Sequence, residues 1–199
     1  MMNQSIHTAH MGICFSEEAI ANAVYTLFLT HSFDGVTLHM VADSVDIPFE
    51  RVMATYASTY QVWYAALCHA TEELFLAVNK EGSIDPPLHQ LRDVCYAVLQ
   101  HSVRHPLAHR FIAMPRSENM REPDEPAYGV IALRALLKRL VKQCIKEHNF
   151  APQSSEMITQ SVLCLLHGVV DFQLNIQRIP WMENLSDHIL ETYFAGLAP

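Results

Sequence analysis

Apolar positions recur along this chain at helical spacing, and no segment shows the strict alternation of a half-buried strand between turn pairs. Ile20, Ala23, Val24, Leu27 and Phe28 share one face of a first helix. Ser16 stands where an N-cap is needed, and Glu17 and Glu18 suit the positive end of the helix dipole. The run His31-Ser32-Phe33-Asp34-Gly35 stops that helix. Thr37 is placed to cap a short second helix, 38–45, with Val41 and Ala42 inward, and Pro48 suits the first turn of a third, 49–55. Ser58-Thr59-Tyr60-Gln61 has the form of a capping box and opens a long fourth helix that reaches about Asn79.

The remaining pattern is also helical. Asp85-Pro86-Pro87 starts a helix ending near Arg104, and His105-Pro106 forces a break before a short helix that ends near Met114. Residues 114–126 hold three prolines and six charges and read as a loop. A helix over 127–148 points Val130, Leu133, Leu137, Leu140, Val141 and Cys144 inward. A less polar helix over 152–177 is closed by Ile179-Pro180, and a last one spans 185–197. The expected class is all-α, with about nine helices.

Composition narrows this further. Half of the 199 residues are hydrophobic, which supports a sizeable core. No apolar run approaches the roughly 20 residues of a membrane span, and no basic-then-apolar leader precedes the first helix. A cytoplasmic protein with no membrane partner is expected. Five cysteines, at 14, 68, 95, 144 and 164, stand singly without C-x-x-C spacing and read as small hydrophobes. His101, His105 and His109 are four apart, but Pro106 interrupts the helix between them, so neither a metal nor another cofactor is expected. No nucleophile elbow, phosphate loop or H-E-x-x-H motif is present, and an enzyme is not expected.

Ordering and spacing over residues 19–56 carry a more specific signal. The run Ala19-Ile20-Ala21-Asn22-Ala23-Val24-Tyr25-Thr26-Leu27-Phe28, the junction Phe33-Asp34-Gly35-Val36-Thr37-Leu38, the Val41-Ala42-Asp43 triplet and the terminal aromatic Tyr56 follow one another as in a known head domain. The chain resembles the TetR family of one-component bacterial regulators. The resemblance implies a helix-turn-helix head over 13–58 and a helical ligand-binding and dimerisation body over 59–199. It implies a homodimer joined through the last two long helices, and the apolar positions Val162, Leu165, Leu166, Val169 and Val170 are expected at that seam. Gly168 among them is expected to mark the close approach of another helix. It further implies operator DNA as a partner, with Thr37, His39, Phe49, Arg51, Val52, Thr55, Tyr56, Ser58 and Thr59 as the contact set. A small apolar or amphipathic effector is implied for the body, and Tyr96, Leu99, Phe111, Met114, Tyr128, Cys164, His167 and Phe172 are the candidate lining residues.

The charge of the head departs from that pattern. Between Met11 and Tyr60 Arg51 is the single Lys or Arg, against Glu17, Glu18, Asp34, Asp43, Asp46 and Glu50, a formal charge of −5. Phosphate neutralisation supplies most non-specific DNA affinity, so cations are missing where docking needs them. Asp46 stands at the family's usual turn glycine, Pro48-Phe49 at its small-polar and lysine pair, Met53 at its tyrosine and Thr59 near a common phosphate-binding lysine. Two readings follow. In one the head still binds an operator through Arg51, backbone N–H groups and hydroxyls, with His7, His10, His31 and His39 adding charge at mildly acidic pH. In the other it has lost DNA, and the protein acts as a ligand-binding protein or as an antagonist of another regulator. Arg134, Lys138, Lys142 and Lys146 recur every fourth residue and read as a solvated face or, alternatively, a docking stripe for an acidic partner.

Overall fold

The computed structural model describes residues 13–79, 84–114, 126–175 and 182–199. Among them lie nine helices and no strand: α1 (Glu18–Gly35), α2 (Leu38–Ser44), α3 (Phe49–Thr55), α4 (Thr59–Val78), α5 (Pro87–Arg104), α6 (Pro106–Ile112), α7 (Tyr128–Lys146), α8 (Ser155–Asn175) and α9 (Leu185–Gly196). The expected all-α class and each expected helix are present. Most of the 114–126 loop, Ile179-Pro180 and the early histidines His7 and His10 lie outside the described residues. The chain divides into two compact units, with the division falling inside α4 between His69 and Ala70.

The first unit is built on the apolar faces of α1 to α3 and the start of α4. Val24, Phe28, Val41, Val52 and Val62 are completely or almost completely buried. Phe33 closes this core from the end of α1, its ring 6.2 Å from Phe28, 6.4 Å from Tyr60 and 6.1 Å from Trp63. The Thr37 hydroxyl accepts the Met40 N–H at 3.2 Å, the cap expected of it. Asp46 sits in the α2–α3 turn at φ 53°, a left-handed conformation that an aspartate side chain tolerates better than most.

Three local expectations are corrected. Ser16 does not cap α1: the N-cap is Glu17, without a side-chain bond, and the Ser16 hydroxyl lies 2.7 Å from the Cys14 sulfur. Pro48 is the N-cap of α3 rather than a residue of its first turn, its fixed φ of −53° serving equally well one step earlier. The box at α4 is skewed, because Ser58 accepts the Gln61 N–H at 3.3 Å while the Gln61 side chain reaches past Ser58 to the Ala57 N–H at 2.7 Å.

The second unit packs α5, α7, α8 and α9 around Leu91, Cys95, Leu137, Leu140, Cys144, Val162, Val170 and Leu190. Val130, expected inward, is 45% exposed, at the edge of a cavity rather than in that core. Cys95 and Cys144 behave as buried hydrophobes, and burial pushes their thiols up to about 12 and about 11. Cys14 and Cys164, in contrast, are exposed. Gly129 of α7 is a close-approach position: a Cβ there would fall on the backbone of Thr71 and Glu72 in α4. Helix α8 is long and apolar enough to cross a membrane by length and composition alone, yet Ile158, Val162, Leu166 and Val170 pack into the core of this unit.

Candidate nucleic-acid interface and ligand cavity

In the first unit α2 and α3 meet through the stacked rings of His39 and Phe49, 3.6 Å apart. The outer surface of α3 consists of Glu50, Arg51, Met53 and Ala54, all exposed. Arg51 is therefore presented to solvent, adjacent in sequence to the exposed Glu50 carboxylate. Val52 points the other way and is completely buried. Several hydroxyls in the contact set already serve the backbone. Thr55 donates to the Arg51 carbonyl at 3.3 Å, and Thr37 and Ser58 accept helix-start N–H groups. Tyr56 is half-buried, and burial raises its phenol above the ordinary value, with the Cys14 thiol adding a smaller push in the same direction.

In the second unit five helices line a cavity of about 210 Å³ that opens to solvent at the exposed Val130, Arg134 and His167. Its wall is made by Thr71 and Leu74 of α4, Val98 and Ser102 of α5, and His109 and Ile112 of α6. Gly129, Val130, Leu133 and Arg134 of α7 and Leu163, Leu166, His167 and Val170 of α8 complete it. The lining is apolar apart from a few polar groups, the usual character of a small-molecule site. His109 is 8% exposed, and its Nε2 atom is buried without a hydrogen-bonding partner. Desolvation by burial brings its imidazole down to about 4, the neighbouring His167 and Arg110 lowering it and Asp171 raising it. It is therefore neutral at pH 7. Arg134, the one Lys or Arg in the wall, is bonded to Glu156 of α8, which also takes Lys138 at 2.7 Å. Those bonds, with one from Gln160, hold the Glu156 carboxyl down to about 2.

A second concavity, of about 370 Å³, lies open on the outer face of α8 and α9. Cys164, Leu165, Gly168, Val169 and Phe172 line it with Leu185 and Ile189. A Cβ on Gly168 would meet nothing within 4 Å, so its close-approach role finds no partner among the described residues of this chain.

This arrangement has counterparts among solved structures. A TetR family transcription regulator from Marinobacter aquaeolei VT8 superposes with a TM-score of 0.74 at 13% identity, covering 91% of this chain and 94% of that one. The ketosteroid transcriptional regulator KstR2 of Mycobacterium tuberculosis gives 0.70 at 15% identity, over 95% and 99%. The TetR family regulator PfmR of Thermus thermophilus gives 0.66 at 13% identity, over 89% and 96%. The chain has the TetR fold. No family model and no curated protein matches the sequence, so the likeness lies in the backbone.

Within this TetR fold the sequence-derived residues scatter. Thr37, His39 and Arg51 are exposed, Phe49, Thr55, Tyr56, Ser58 and Thr59 are half-buried, and Val52 is corrected from a contact residue to a core residue. Of the eight expected cavity residues, only His167 lines the cavity between α4 and α8. Cys164 and Phe172 line the open concavity instead, and Tyr96 lines a polar groove with Asp93, Gln100, His101 and Arg104. Leu99 and Phe111 are core, Tyr128 is exposed with its ring 6.1 Å from Phe75, and Met114 is half-buried away from the lining. The seam residues divide likewise: Val162, Leu166 and Val170 belong to the monomer core, leaving Leu165 and Val169 toward the open face. His109, Ser102 and Thr71 were missed, because helical spacing does not tell a polar residue at a cavity wall from one at the surface. The His101-His105-His109 series splits as Pro106 implied: His101 and His105 rings are 4.5 Å apart, whereas His109 faces His167 at 5.2 Å.

Proposed function

We propose that the protein is a homodimeric transcriptional regulator, a repressor, that binds an operator through residues 13–58. In this reading residues 59–199 form the ligand-binding and dimerisation domain. The protein is cytoplasmic and performs no catalysis. One observation carries the reading: the TetR fold is combined with a mostly apolar cavity in the body. Ligand entry between α4, α6 and α8 would alter their packing. A differential affinity of the ligand for two head spacings would then shift operator binding. The open apolar face of α8 and α9 supports a subunit seam through those helices, with Gly168 admitting the partner's backbone.

The head's formal charge of −5 favours a second reading, in which the same fold has lost DNA and antagonises another regulator. Retention on random-sequence DNA at low salt, measured at pH 6 and pH 8, separates the two. Binding that weakens steeply with salt supports the regulator. No retention at either pH overturns it and leaves the antagonist.

A further inference from the structure

We propose that the cavity lined by α4 to α8 takes a compact, uncharged ligand of single-ring size, whose hydroxyl bonds to Nε2 of His109. This rests on the ligand-sensing reading and specifies the chemistry of its site.

Size sets the first limit. A cavity of about 210 Å³ is only somewhat larger than the roughly 150 Å³ that holds benzene, so one ring with a small substituent fills it. A steroid-sized or long-chain ligand would extend beyond this volume, past the exposed Val130, Arg134 and His167.

Polarity sets the second. Leu74, Val98, Leu133, Leu163, Leu166 and Val170 give the ligand an apolar body to pack against. The buried Nε2 of His109 is a polar atom without a partner among the described residues, a costly arrangement that a ligand group relieves. A hydroxyl satisfies either imidazole tautomer, since it both donates and accepts.

Charge sets the third. Of the cations near this wall, Arg134 is bonded to Glu156. Arg110 is turned to the end of α8, donating to the Leu174 carbonyl at 3.1 Å and to the Asn175 side-chain oxygen at 3.2 Å. His109 itself is neutral at pH 7, and the Asp171 carboxylate acts on it from α8. An anionic ligand would therefore be desolvated without a cation that is not already committed.

The test uses the full chain at pH 7.5 with three probes of similar size: phenol, toluene and benzoate. Phenol, like the tyrosine side chain, is uncharged at that pH. Calorimetric titration is expected to show phenol binding at one site, and benzoate at least about tenfold more weakly. His109→Leu is expected to weaken phenol about tenfold, the worth of one hydrogen bond, and to leave toluene within about twofold. His109→Gln, which retains a donor and an acceptor, should recover much of the phenol affinity. Benzoate binding as tightly as phenol, or equal losses for phenol and toluene in His109→Leu, would overturn the proposal while leaving a ligand-sensing body intact. If none of the three probes binds the folded protein, this proposal falls.

Discussion

The imidazoles of His109 in α6 and His167 in α8 stand 5.2 Å apart, centre to centre, although one is buried and the other exposed. Sequence spacing groups His109 with His101 and His105; the helix break at Pro106 pairs it with a different helix. Burial is the main reason that the His109 imidazole falls to about 4, with His167 and Arg110 acting in the same direction and Asp171 against them.

That shift makes stability depend on pH. The folded-state value lies below the ordinary 6.5, so the unfolded chain binds more protons between the two values. Stability is expected to fall as pH drops from about 6.5 toward 4, and His109→Leu should flatten this slope. Urea unfolding at pH 7, 6 and 5 for both proteins measures it. An unchanged slope in the variant would place the titrating group elsewhere. Glu156 acts in a lower window: its carboxyl is held at about 2, so its contribution is present above about 4.5 and lost toward 2.

Within a single subunit Gly129 and Gly168 are expected to respond oppositely to alanine. At Gly129 the added Cβ meets the Thr71 backbone, which cannot rotate away, and overpacking of this kind costs roughly 1–3 kcal/mol. At Gly168 nothing of the same subunit lies within 4 Å, so alanine in mid-helix favours the isolated subunit by up to about 1 kcal/mol. At the proposed seam the same Cβ would instead press on the partner's backbone and weaken assembly. Thermal unfolding of the two variants compares them directly.

Neighbouring residues of α3 should separate folding from recognition. Arg51→Ala is expected to change stability by no more than about 0.5 kcal/mol, since its side chain is exposed. It should nevertheless abolish most low-salt DNA retention. Val52→Ala is expected to cost roughly 2 kcal/mol through the cavity it leaves. Its DNA affinity per folded molecule should be retained. Denaturant titration alongside a DNA-binding assay reads both.

Asp46 holds a left-handed backbone in the α2–α3 turn, at φ 53°. Asp46→Gly removes the steric cost of that conformation, worth about 1–2 kcal/mol in an ordinary residue, and offsets part of it with added chain entropy. A small gain in stability is expected, together with stronger DNA retention because a carboxylate leaves the head. Weaker retention would place the contact surface away from this turn.

Phe172 and Gly168 should report on subunit assembly. Phe172 is 50% exposed on the open face of α8. Phe172→Asp or Gly168→Trp is expected to convert a dimer to a monomer in sedimentation, with helicity retained. A monomeric parent protein would count against the proposed seam.

Helix positions and the short-helix turn of the head were settled by the sequence alone. Their causes are local: the apolar spacing from Ile20 to Phe28, the Thr37 cap, the proline breaks at 48, 86 and 106, and the turn residue Asp46 all act within a few residues. The head's charge deficit was also readable, because a count of Lys, Arg, Asp and Glu requires no coordinates. Tertiary structure decided which side of each helix is inside once several helices compete for it. Val52 and Val162 are apolar residues on helices with solvent faces, and packing turned both inward. The cavity is a tertiary feature in the same sense. It arises where Gly129 lets α7 approach α4 and where the break at Pro106 carries His109 toward α8. Its wall draws on residues from Thr71 to Val170, and no local pattern encodes contacts over such separations.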